Sequence, residues 1–127
     1  MRFLVTMILT VSALSSTVGW AQSGYSQEYT QCLNTSYGQS KTIINCVDKE
    51  LKQQKKLLKK FYKSHLKNNA NYQANFEQQH TLWQNQMNQQ CHFRVTSAFI
   101  EIKQKKCVLE MTKQRADYYE IKQMGYK

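Results

Sequence analysis

The chain has 127 residues, a net charge of +10, four cysteines and no proline, with 41% hydrophobic residues. That length supplies one domain with a thin core and excludes two full-sized ones. The charge favours polyanions as partners: lipid headgroups, cell-wall polymers or nucleic acid.

Residues 1–21 read as a secretory signal peptide. Arg2 is the charged start, 3–14 the apolar run and 15–21 the small-residue exit, with Gly19 and Ala21 where a signal peptidase reads. The apolar run is shorter than the roughly 20 residues a bilayer span needs, so no transmembrane span remains after its removal. No cysteine stands at the cleavage point to carry a lipid. Residues 22–127 are then one domain in the periplasm or secreted medium. Without Arg2, the 18 basic residues become 17 against 8 acidic, a net +9. Cys32, Cys46, Cys91 and Cys107 all lie in this part. An even count in a small exported chain predicts two disulfides.

After the signal peptide, glycine occurs only at 24, 38 and 125, which favours long helices over tight turns. Ser26 is placed to cap a short helix through 37, with Tyr29, Cys32, Leu33 and Tyr37 inward. Gly38 ends it, and Ser40 caps a second helix that starts near Lys41. Asn34-Thr35-Ser36 fits the glycosylation pattern, which three residues often match by chance.

The stretch 46–67 dominates the chain. Val47, Leu51, Leu58, Phe61, Tyr62 and His65 recur on one arc of a helix at about 100° per residue. Lys49, Lys52, Lys56, Lys59, Lys60, Lys63 and Lys67 fall on the opposite arc. Five like-charge lysine pairs at i,i+4 cost roughly 1–2 kcal/mol together at low salt, which an anionic partner would recover. A solvated, screened face is the bland alternative.

That helix ends near 68–71. A third runs over roughly 72–92, with Tyr72, Phe76, His80, Trp83, Met87 and Cys91 on one arc and glutamine and asparagine outside. A bend near 94–97 leads to a last helix ending near Met124, with Cys107, Met111, Tyr118 and Ile121 inward. A short strand within 93–106 is the competing reading.

Catalytic chemistry is not legible. His65, His80 and His92 lack metal-ligand spacing, and adjacent helical residues such as Cys91 and His92 diverge. Paired cysteines are not nucleophiles. The carboxylates are scattered, with no glycosidase pair. No cofactor, metal or nucleic acid is expected, and the chain is read as a non-enzyme.

The cysteine and aromatic spacings resemble the LprI-like lysozyme inhibitor family over about 29–119. Leu58 and Tyr62 match an Asp-x-x-Leu-Asn-x-x-Tyr segment. Trp83 and Cys91 match Trp-x-x-x-Arg-x-x-x-Cys. Cys107, Thr112 and Arg115 match Cys-x-x-x-Leu-Thr-x-x-Arg, with Met111 for Leu. Lys55, Lys59 and Met87 depart from the family's Asp, Asn and Arg. The resemblance implies an exported, all-helical protein that binds and blocks lysozyme. On such a partner, the acidic cleft is what attracts lysines. A cationic module that docks Lys52, Lys56, Lys59, Lys60, Lys63 and Lys67 onto anionic envelope lipid or polymer is the alternative.

The expected fold is all-α: a disulfide-stapled bundle of three to four helices built on an antiparallel hairpin. Leu58, Tyr62, Phe76, Trp83 and Met111 are its expected core. The local pairing Cys32–Cys46 and Cys91–Cys107 is favoured. Cys46–Cys91 with Cys32–Cys107 is the rival, since the hairpin sets Cys46 and Cys91 at similar height, and the sequence leaves the third pairing open.

Overall fold

The computed structural model describes residues 24–125, and the expected signal peptide lies outside them. Among the described residues there are four α-helices and no strand: α1 (Gln27–Asn34), α2 (Ser40–Asn68), α3 (Gln73–Cys91) and α4 (Ala98–Met124). A single 3-10 turn, Ala70–Tyr72, joins α2 to α3. No described helix is long and apolar enough to cross a membrane.

Local chemistry sets the boundaries. Ser26 Oγ accepts from the Tyr29 amide at 3.1 Å and caps α1. The Thr35 and Ser36 hydroxyls donate to the carbonyls of Gln31 and Leu33, which stops α1 at Asn34. Tyr37 and Gly38 then follow with φ of 49° and 74°. This early stop corrects the expected inward Tyr37, which is 88% exposed. Ser40 is not the cap expected for α2 but its first residue, because the Gln39 carbonyl already accepts from the Ile43 amide. Tyr72 precedes α3 and faces solvent, outside the inner arc assigned to it. Residues 92–97 contain no strand, and Ser97 Oγ caps α4 by accepting from the Ile100 amide.

α2 and α4 form the main interface. They run parallel: Asp48 meets Lys105 near one end, and the Phe61 carbonyl accepts from Gln123 Nε2 near the other. α3 runs antiparallel to both. It is tied to α4 by the Cys91–Cys107 disulfide and by His80 beside Tyr119, and it meets α2 near their shared turn. α1 is clamped on α2 by Cys32–Cys46. The local disulfide pairing is therefore the one present, with Cα separations of 5.7 and 5.5 Å.

The core has two clusters. Tyr29, Cys46, Val47 and Leu109 join α1, α2 and α4. Leu58, Ala116 and Tyr119 join α2 and α4, with Phe61, Tyr62 and Trp83 against them. Of the expected core, Leu58 is buried, while Tyr62, Phe76, Trp83 and Met111 are half-buried. On α4, Tyr118 is exposed and Ile121 is 64% exposed, contrary to the inward positions expected. The reason is that α4 packs against two helices. Leu109, Thr112, Ala116 and Tyr119 form a second inward row that a single-arc reading passes over.

Candidate functional site

The motif residues come from three helices and converge. Leu58 and Tyr62 rise from α2, Trp83 from α3, and Thr112 and Arg115 from α4. The Arg115 guanidinium lies 4.8 Å from the Tyr119 ring centre, 4.9 Å from Tyr118 and 5.6 Å from Trp83. Stacking on the electron-rich ring faces holds this cation, with which no carboxylate pairs among the described residues. Its Nε is buried with no hydrogen-bond partner among the described residues.

Two histidines complete the cluster. His80 stacks on Tyr62 at 4.0 Å, and its Nδ1 is 3.0 Å from the Tyr119 hydroxyl. His65, 1% exposed, lies 4.4 Å from the Phe76 ring and 5.1 Å from Tyr119. Burial pushes both imidazoles below their ordinary range; Arg115 adds to the shift at both, and Lys122 at His65. Burial also raises the Tyr119 phenol, against an opposing pull from Arg115. Both histidines are thus held neutral near neutral pH, as packing groups.

Lys52, Lys56, Lys59, Lys60, Lys63 and Lys67 are all exposed on α2, away from this cluster. The two ion pairs among the described residues, Lys105–Asp48 and Lys113–Asp117, involve none of them. Lys52 and Lys56 stand between two open grooves of about 440 and 700 Å³, the larger where α1 crosses α2. No group of three or more His, Cys, Asp or Glu able to hold a metal occurs among the described residues. The four cysteines are bonded in pairs, which leaves no thiol nucleophile among them.

A family model described as Lysozyme inhibitor LprI matches residues 21–118. The chain belongs to the LprI family. No curated protein and no solved structure matches it. For an LprI chain, the departures at Lys55, Lys59 and Met87 now have places. Lys55 and Lys59 are exposed on α2. Met87 is half-buried, with its Sδ 3.9 Å from the buried Thr112 hydroxyl. A thioether is a weak acceptor, so Met87 fills space beside Thr112 more than it bonds.

The LprI motif residues hold the bundle together, whereas the lysines form a separate surface. Reading the sequence missed Tyr119, which touches Tyr62, His65, His80 and Arg115. Its signal was its position four residues beyond Arg115 and seven beyond Thr112, on the same helix face.

Proposed function

We propose that residues 1–21 are a signal peptide and that 22–127 form an exported, non-catalytic domain, periplasmic or secreted, that binds lysozyme and blocks it. The observation that carries this reading is the LprI match over 21–118. Two disulfides support an oxidising compartment. Inhibition by binding needs a rigid surface more than reactive groups. Two staples and the Arg115–aromatic cluster supply that rigidity. The test is lysis of a cell-wall suspension by lysozyme with purified, oxidised chain added. The rate falls as the inhibitor approaches stoichiometric amounts. An unchanged rate at micromolar excess rejects the reading.

A further inference from the structure

None of the lysines on this face is in an ion pair among the described residues. α2 carries two acids, both bonded to other groups, and Glu28 of α1 lines the groove beside Lys49, Lys52 and Lys56 without pairing with them. The Glu50 carboxylate is turned under α1, where it accepts from the Ser26 amide, the Ser26 hydroxyl and Gln54 Nε2. Asp48 is paired with Lys105 of α4 at 2.7 Å. Glu77, the single acid of α3, accepts from Gln73 on its own helix.

The lysines are also aligned. At 100° per residue, Lys49, Lys56, Lys60, Lys63 and Lys67 fall within about 60° of one another. They form a straight file about 27 Å long, flanked by Lys52 and Lys59. The helix beneath is continuous over Ser40–Asn68 and is anchored on α4, so the file exists before any ligand arrives. No apolar residue stands among these lysines on their arc. A helix that beds into a lipid interface lays a row of Trp, Phe or Leu beside its charges, whereas the exposed apolar neighbour of this file is Leu57 at one edge. Ammonium groups act as point charges that suit phosphate oxygens.

We infer that this file is a docking surface for a linear phosphate polymer lying along α2. The polymer's negative charges pair with these lysines, relieve the i,i+4 repulsion between them and release the polymer's bound counterions. This binding is independent of lysozyme inhibition.

The probe is inorganic polyphosphate, titrated into the oxidised full-length domain over a range of sodium chloride concentrations. Log affinity should fall linearly with log salt, by about 0.7 for each phosphate neutralised, so with a slope of roughly −3 to −5 for five to seven lysines. The quadruple variant K52Q/K56Q/K59Q/K63Q should bind at least about tenfold more weakly at low salt, with a slope shallower by about 3. The variant R94Q/K103Q/K106Q/K122Q loses the same charge elsewhere and should change affinity by less than about threefold. Circular dichroism checks that both variants stay helical. Equal losses in the two variants, a slope near zero, or binding to phosphatidylglycerol vesicles without binding to polyphosphate would each overturn the proposal.

Discussion

Glu50 is 2% exposed, yet its carboxyl is held below the usual carboxylate range. Burial alone would raise it. The hydrogen bonds from Ser26 and Gln54, with the Lys113 charge nearby, outweigh burial. The stability this adds is present above the unfolded carboxyl's pKa and is lost as pH falls through the lower folded one. Glu50→Ala should cost about 1–3 kcal/mol in urea unfolding at neutral pH, because it leaves Ser26 and Gln54 without their acceptor. The two histidines work from the other side of neutrality. Their folded pKa values are depressed, so stability falls as pH drops below the ordinary value of about 6.5. His80→Phe keeps a ring on Tyr62 but strips the Tyr119 hydroxyl of its partner. It should cost about 1 kcal/mol at pH 7.5 and shrink the loss of stability between pH 7 and 5, read by urea melts along the pH series. Leu58 and Trp83 were legible in the sequence because spacing on a helix marks them, and Arg115 through its match to the family pattern. The role of Glu50 was not, since its partner Ser26 is 24 residues away and only the fold brings them together.

Among the elements, α3 is the least secured. Cys91 is its one buried residue, and its outer face is glutamine and asparagine. Its hold on α4 rests on the Cys91–Cys107 bridge at one end and, further along, on His80 against Tyr119 and Trp83 against Arg115. Replacing Cys91 and Cys107 by Ser removes a crosslink of sequence separation 16 and should cost about 3 kcal/mol. Amide exchange should then rise first in α3, while α2 and the α1 junction stay protected. The boundaries of α2, α3 and α4 could be read from the sequence to within a few residues, because Gly38, the lysine arc, the asparagines near 68–71 and the bend near 94–97 mark them. The packing of α4 could not. Its apolar residues serve two partners, so no single stripe appears: one arc points Tyr118 and Ile121 inward, whereas Leu109 and Tyr119 are the buried ones. The α2–α4 pairing was hidden for a related reason: sequence order suggests that neighbouring helices pair, whereas here the longest two are parallel and separated by α3.

For the molecule as a whole, two surfaces divide the work. The inner surface is a small core of two apolar clusters, stapled twice and locked by an arginine among rings. The outer surface is a cationic helix face whose own acids are engaged elsewhere. The LprI motif residues belong to the first, and they explain how the chain keeps its shape, while affinity for a target must come from what that shape presents. Direct binding is therefore the most searching test. Calorimetric titration of oxidised chain into lysozyme at physiological salt should give a saturating one-to-one heat with a dissociation constant of about a micromolar or tighter, or roughly −8 kcal/mol. Heats no different from dilution, with the same protein folded and both disulfides intact, would contradict the account.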